Sequence, residues 1–228
     1  MLELDSELFR KGIFAQLDSY DINPAYFPPA AYIPPSVTFR QHNVLAQPQP
    51  ADIIKVYDIV YVKGFVSLIA NSNVTPLLLS VRALLKPGGW LQWVDARIDA
   101  LVAESPSAGI SKEACDTARE FMIRDANARG LRGEWLDVLD RHLEEHGFEG
   151  VRLRSDKKKR QDLKAWTEDY LMLMEELHVL FPSEKVMPQA KMTREGWGDL
   201  FIKAVKETEQ GVVIHQQRIV TAVGRKAL

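Results

Sequence analysis

The sequence contains a single cysteine, Cys115, among 228 residues. One cysteine cannot form an internal disulfide or a thiolate-rich metal site, so we expect an inert, partly buried thiol and no metal. Long apolar runs are also absent. Residues Met1–Phe14 have only scattered apolar side chains between charged ones, which is the pattern of neither a signal peptide nor a spanning helix. We therefore expect a cytoplasmic protein that does not enter a membrane.

The chain also lacks an excess of either charge. Its 29 basic and 31 acidic residues give a net charge of −2, which provides no general attraction to nucleic acid or to an anionic membrane. The basic run Lys157–Arg160 is typical of a solvated turn in such a protein. These features favour a small, neutral and apolar substrate.

One segment, Tyr57–Asp95, predicts a strand, a helix and a second strand. The apolar run Ile59–Val62 indicates a strand buried on both faces, and leucines at helical spacing follow Pro76. Pro87 and two glycines predict that this helix stops at Lys86 and that the next strand begins at Trp90. Such a unit is right-handed and parallel, so the sequence predicts an α/β protein. With 46% hydrophobic residues, the chain can bury one core, and we expect a single domain over residues 1–228.

Beyond Asp95 the pattern becomes mainly helical. The periodicity predicts helices at Ala114–Ala128, Trp135–Phe148, Asp162–Phe181 and Met192–Glu209, and a long final strand at Val212–Gly224. His215 alternates with apolar neighbours in that strand, which predicts a surface or edge position.

Five segments together carry a family resemblance. They are LDSYDINPAYFPP, VTFRQHNVL, YDIVYVKGF, LLKPGGWLQW and IVTAVGRKAL. In this order they resemble class I S-adenosylmethionine-dependent methyltransferases, and more closely the fungal LaeA-like group of secondary metabolism. The resemblance implies a Rossmann-like, mostly parallel sheet with an antiparallel C-terminal edge strand. It also implies helical cap insertions at about residues 111–148 and 161–194.

The cofactor motif of that family is missing from this sequence. No GxGxG occurs, and Gly12 is the only glycine before Asp21, so we expect the first strand and its glycine loop to be absent. The resemblance assigns Asp21, after the strand Gln16–Ile22, to the cofactor ribose. It assigns Asn43, after the strand Val37–Val44, to the adenine, where relatives carry aspartate. Both positions are interpreted as vestigial, and Asp21 serves equally well as a cap for the following turn.

The candidate substrate pocket combines aromatic and methionine side chains with one carboxylate. Such residues suit an irregular apolar ligand, although core packing explains most of them equally well. The assigned positions are Tyr26, Phe27, Phe65, Asp95, Met122, Tyr170 and Met174.

Three side chains are candidate catalytic groups. Lys63 follows a strand at the edge where ligands bind in this architecture, and its ammonium can donate to a substrate carbonyl. His178 is the best acid or base on its helix because histidine titrates near neutrality. Tyr20 is the third candidate. Surface or structural roles remain open for each of them.

Because the cofactor loop is missing, we rank a cofactor-independent function before methyl transfer. The first hypothesis is a cofactor-independent cyclase of the Diels–Alder or pericyclic type, because a unimolecular cyclisation needs a shaped apolar pocket and one or two donors. The alternative is an S-adenosylmethionine-dependent methyltransferase acting on a small acceptor. A noncatalytic partner protein is the second alternative.

The absence of the first strand also bears on the oligomeric state. Without that strand, a gap lined by unpaired backbone groups would lie between the strands Gln16–Ile22 and Asp58–Val62. The two strands must then either pair directly or borrow a segment from another subunit. We expect a homodimer that buries the N-terminal region near Leu4, Leu8 and Phe9.

Overall fold

The computed structural model describes residues 1–228, which form six α-helices and eight β-strands joined by turns and short 3-10 helices. In chain order the elements are α1 (Leu2–Arg10), β1 (Leu17–Asp21), β2 (Val37–Gln41), β3 (Tyr57–Lys63), α2 (Thr75–Leu84), β4 (Leu85–Asp95), β5 (Leu101–Glu104), α3 (Glu113–Ala128), α4 (Leu139–Glu145), β6 (Phe148–Lys157), α5 (Leu163–Leu177), α6 (Arg194–Glu209), β7 (Val213–Gln216) and β8 (Arg218–Lys226).

A four-stranded mixed sheet in the order β3-β4-β8-β6 forms the centre of the molecule. Strands β3 and β4 are parallel, with Val60 opposite Leu91, whereas β8 runs antiparallel to both β4 and β6. The predicted α/β class and the antiparallel C-terminal strand are confirmed, but the sheet is mixed and not mostly parallel, because two of its three ladders are antiparallel. Strand β8 lies between β4 and β6, however, and is not an edge strand.

The main core lies on one face of this sheet. Alternation along β4 turns Leu91 and Trp93 to the same side, where α2 and α4 cover them. Both side chains are fully buried, and Trp93 packs against Trp135 with ring centroids 5.3 Å apart. The helix α4 belongs to this core, although the sequence assigned it to a cap insertion.

The KPGG segment marks a change of strand register. The pairing moves from Tyr57 opposite Leu85 to Ile59 opposite Trp90, so the intervening residues bulge out within β4. Gly88 adopts a positive φ of +76°, which glycine accepts without strain. The predicted boundaries were therefore wrong by a few residues, because β4 begins at Leu85 and not at Trp90.

A second core lies among α3, α5 and α6 and the two-stranded antiparallel sheet of β5 and β7. Trp197 is fully buried there and stacks on Phe181 at 4.8 Å. The predicted long final strand is in fact two strands in different sheets, because β7 pairs with β5 and β8 pairs with β4 and β6. His215 lies on an edge strand, as one of its two predicted positions required, but it is 5% exposed, which corrects the predicted surface position.

The strands β1 and β2 form a separate parallel pair. No backbone hydrogen bond joins β1 to β3, so direct pairing of these strands, one of the two predicted ways to close the gap, is wrong. Side chains connect them instead. The Tyr57 hydroxyl donates to Asp18 at 2.7 Å and also contacts the hydroxyl of Tyr20. None of the six α-helices has the length and apolar character needed to cross a bilayer.

Candidate functional site

The carboxyl ends of β3 and β4 meet at one edge of the central sheet, where Asp95 fixes the local backbone. One carboxylate oxygen of Asp95 accepts the amides of Phe65 and Val66 at 2.7 and 3.0 Å and the indole N–H of Trp93 at 3.2 Å. The other oxygen accepts the amide of Ala96 at 3.1 Å. Burial raises the pKa of Asp95 in spite of these four donors. Asp95 is 5% exposed, so it shapes the turn after β3 and does not face an open pocket.

A cavity of about 370 Å³ lies beyond this edge, where β4 and β6 end and β8 begins. Ligands of open α/β sheets bind at this edge, outside the carboxyl ends of the strands. Four apolar residues and five polar ones line the cavity, namely Ala100, Leu136, Leu153, Val220, Arg97, Asp137, Ser155, Gln217 and Arg218.

The charges in this cavity are distributed unevenly. Arg97 donates to both oxygens of Asp99, at 3.1 and 2.5 Å, and to Asp137 at 2.5 Å, so its charge is balanced. Burial raises the pKa of Asp99, but the contacts with Arg97 outweigh burial and hold that pKa below its usual value. The side chain of Arg218 is exposed and makes no hydrogen bond or salt bridge within the chain. The cavity therefore presents one guanidinium that is free to donate to a ligand.

Gly133 allows one wall of this cavity, the 3-10 helix that follows it, to pack closely against Arg97 and Asp99. A Cβ at this position would lie 2.8 Å from the Asp99 carboxylate and 3.0 Å from the Cα of Arg97. The second of these contacts is with backbone, which cannot move aside cheaply. The absence of a side chain at 133 thus lets the 3-10 helix Glu134–Val138 approach the Arg97–Asp99 pair.

The three predicted catalytic residues do not come together. No hydrogen bond joins any two of them. Lys63 is exposed at the end of β3, His178 is half-buried after α5, and Tyr20 contacts Tyr57 near the start of β3. None of them lines the cavity. Their catalytic roles stay predictions.

The predicted pocket residues are likewise dispersed. Met122, Tyr170 and Met174 lie in the second core and are 6%, 7% and 0% exposed. In contrast, Tyr26 is 75% exposed, and Phe27 packs on Phe39 at a centroid distance of 5.5 Å. The observed packing does not support one pocket formed by these side chains.

The two predicted cofactor positions occupy local turns at the ends of β1 and β2. The Asp21 carboxylate accepts the amide of Asn23 at 2.8 Å, and the Asn43 side-chain oxygen accepts the amide of Leu45 at 3.0 Å. Both side chains are exposed. The turn-cap alternative that the sequence left open for Asp21 is thus present in the structure.

Three polar residues of the cavity, Arg97, Gln217 and Arg218, were not predicted from the sequence. A signal existed for Arg97, because it follows directly after a buried strand at the ligand-binding edge. Gln217 and Arg218 lay inside the predicted long strand, where the polar run His215–Arg218, which breaks the apolar alternation, was the available signal.

Comparisons with known proteins identify the fold. No known family model matches the chain. A stretch of 107 residues, 47% of the chain, is 33% identical to the methyltransferase grgD of a Penicillium species. The match spans only 36% of that curated relative.

Two solved structures match the whole chain. Phosphoethanolamine N-methyltransferase 2 of Haemonchus contortus, in complex with S-adenosyl-L-methionine, has a TM-score of 0.51 at 9% identity, with 47% of its chain covered. The [4+2]-cyclase SpnF has a TM-score of 0.50 at 14% identity, with 72% of its chain covered. The chain therefore has the Rossmann-like fold of class I methyltransferases.

Proposed function

We propose that this chain is an enzyme of natural-product biosynthesis that no longer transfers methyl groups and instead cyclises an apolar substrate without a cofactor. The supporting observation is the cavity at the carboxyl edge of the sheet, which combines four apolar side chains with one unpaired guanidinium and has no cysteine, serine–histidine pair or metal cluster in its lining. Its position matches the usual ligand site of this fold. The fungal LaeA-like group remains the proposed relationship.

A pericyclic cyclisation requires little more than this arrangement. The apolar walls formed by Leu136, Leu153 and Val220 hold a folded conformer in which the reacting carbons are close together. Arg218 donates to the carbonyl of the dienophile and lowers the barrier by stabilising the charge that develops on its oxygen. Two carbon–carbon σ bonds form as three π bonds become one, and no proton or electron leaves the substrate. The fold match to the [4+2]-cyclase SpnF supports this use of the scaffold.

The S-adenosylmethionine site fits this chain poorly. The Asn43 side-chain oxygen already accepts the Leu45 amide, and as a neutral amide oxygen it offers the adenine amino group a weaker acceptor than the aspartate that relatives carry. Asp21 keeps one carboxylate oxygen for a ribose hydroxyl. No glycine-rich loop follows any of the strands at this edge. We therefore propose that the protein works without this cofactor.

The cyclase proposal is tested with a linear diene tethered to an α,β-unsaturated ketone, by following the cyclised product chromatographically. The protein should accelerate cyclisation and bias the stereoisomer ratio. Ala100→Trp, which fills the cavity, should abolish both effects, whereas Ala165→Trp on the exposed side of α5 should not. Arg218→Met should slow the reaction about tenfold to a hundredfold without abolishing it. Identical rates for the wild-type and Ala100→Trp proteins would contradict the proposed site.

A methyltransferase is the second candidate, because the grgD match favours it. Calorimetric titration with S-adenosylmethionine distinguishes the two functions. We expect no heat of binding at millimolar cofactor. A binding signal that disappears in Asp21→Ala would favour methyl transfer and overturn the cofactor-independent mechanism.

A further inference from the structure

The central sheet has an open apolar face opposite its core. Strand alternation places Ile59, Tyr61 and Trp90 on that face, where they are 64%, 51% and 42% exposed. The helices α2 and α4 cover only the other face. The parallel pairs of α/β sheets are normally covered by helices on both faces, and two of the three exposed residues, Ile59 and Tyr61, lie on β3 of such a pair. This open face, defined by Ile59, Tyr61 and Trp90, therefore lacks one layer.

The N-terminal segment, residues 2–14, is a helix and turn that expose large apolar side chains. No residue of α1 is buried. Phe9, Ile13 and Phe14 are 68%, 50% and 85% exposed, and the two phenylalanine rings contact each other edge to face at 6.1 Å. The Ser36 hydroxyl donates to the Asp5 carboxylate at 2.6 Å, and this hydrogen bond links α1 to the loop before β2. A nine-residue helix is marginal in water without tertiary packing, so α1 requires an apolar surface.

We propose that two copies of this chain form a two-fold homodimer in which the N-terminal segment of each copy covers the open sheet face of the other. The open sheet face lacks a covering helix, and the N-terminal segment lacks an apolar surface to pack on. Each copy of the chain has one of each, so two copies can cover each other reciprocally. Charge supports the same pairing. Glu3 on α1 and Arg152 on the sheet face have no salt bridge within the chain, and reciprocal docking brings these two surfaces together.

The exposed area is sufficient for a stable interface. At about 200 Å² for each aromatic side chain, the exposed parts of Phe9, Phe14, Tyr61 and Trp90 amount to about 500 Å² per copy. Two copies would bury about 1,000 Å² from these rings alone, and the aliphatic side chains beside them bring the total into the range of about 1,200–2,000 Å² found for specific interfaces. A second copy would thus cover the open sheet face and the N-terminal segment at the same time.

The oligomeric state provides the first test. Light scattering at micromolar concentration should give twice the chain mass of 25.9 kDa. Phe9→Glu and Tyr61→Glu should each give a folded monomer, while Ile202→Glu, at a site on α6 that is 54% exposed, should remain dimeric. An equimolar mixture of Phe9→Glu and Tyr61→Glu should recover dimers, because each mixed pair retains one intact contact. A monomeric wild-type protein, or dimers that persist in Phe9→Glu, would overturn the proposal.

A disulfide test distinguishes exchange between copies from folding back within one copy. Cys115 is fully buried, so cysteines introduced by Phe9→Cys and Tyr61→Cys are the only accessible thiols. Under mild oxidation the double variant should run as a covalent dimer on a non-reducing gel. A cross-linked monomer would show that the N-terminal segment covers its own sheet, and would refute the exchange.

Discussion

The first turn of α3 depends on a carboxylate from α6. One oxygen of Glu207 accepts the Ser111 hydroxyl at 2.8 Å and the Ala114 amide at 3.2 Å, and the other accepts the Cys115 amide at 2.9 Å. These two amides lie in the first turn of α3, where no intrahelical acceptor exists. Glu207 is 8% exposed, so water cannot easily replace it. We predict that Glu207→Gln destabilises the protein markedly.

The size of the effect follows from the three bonds. Glutamine retains one acceptor oxygen and turns its amide group towards a backbone N–H, so at least one charge-assisted bond is lost. Such a bond contributes about 1.5–3 kcal/mol, and a negative charge at a helix N-terminus contributes about 0.3–1 kcal/mol more. A loss of about 2–3 kcal/mol in the free energy of unfolding should lower Tm by about 4–12 °C in a protein of this size.

The loss should also depend on pH. Burial raises the pKa of Glu207, but its hydrogen bonds outweigh burial and hold the pKa below 4.5. A carboxylate whose pKa is lowered by folding stabilises the protein fully above the unfolded pKa, and this stabilisation is lost as the pH falls through the folded pKa. The difference between wild type and Glu207→Gln should therefore be largest near neutral pH and shrink in acid.

Urea unfolding followed by circular dichroism measures these differences directly. Glu209→Gln, on the exposed side of the same helix, removes an equal charge without a hydrogen bond and should change stability by less than about 0.5 kcal/mol. The capping argument fails if Glu207→Gln unfolds at the wild-type urea concentration near neutral pH. It also fails if the difference from wild type is the same in acid.

Three further outcomes test other parts of the structure. Burial raises the pKa of Cys115 to about 12, so its thiol should not react with a disulfide reagent at mildly alkaline pH until urea unfolds the chain. Asp95→Ala leaves four N–H donors without their acceptor and should cost about 3–5 kcal/mol, measured by urea unfolding with tryptophan fluorescence. Gly133→Ala forces a Cβ against Arg97 and should cost about 1–3 kcal/mol by thermal unfolding, whereas Gly109→Ala, with open space around it, should change little.

Local sequence patterns predicted the elements that bury one continuous apolar face. The segment Tyr57–Asp95 folds as strand, helix and strand because its leucines recur every three or four residues after Pro76. Likewise, α3 begins and ends within one residue of its predicted bounds. These elements depend on periodicity and on proline and glycine, which act over a few residues.

Properties that depend on distant parts of the chain could not be predicted in the same way. Met174 and Tyr170 lie in a separate core, and a helical apolar stripe is the same whether it covers a core or a ligand pocket. The burial of His215 depends on β7 pairing with β5, more than a hundred residues earlier in the chain. Nor does any local pattern show that β1 would contact β3 through the side chains of Asp18, Tyr20 and Tyr57 and without a backbone ladder.

The candidate site arises at the position where the sequence pattern was most misleading. The segment Val212–Gly224 was predicted as one strand, yet the chain leaves one sheet and enters another at Gln217, within the polar run His215–Arg218. A single unbroken strand would have directed Gln217 and Arg218 along the sheet, as part of an ordinary ladder. Because the ladder is interrupted there, Gln217 belongs to neither strand and Arg218 begins a new one at the mouth of the cavity. The change of sheet thus brings an unpaired guanidinium to the carboxyl edge of the sheet, where the proposed cyclisation would use it as a donor.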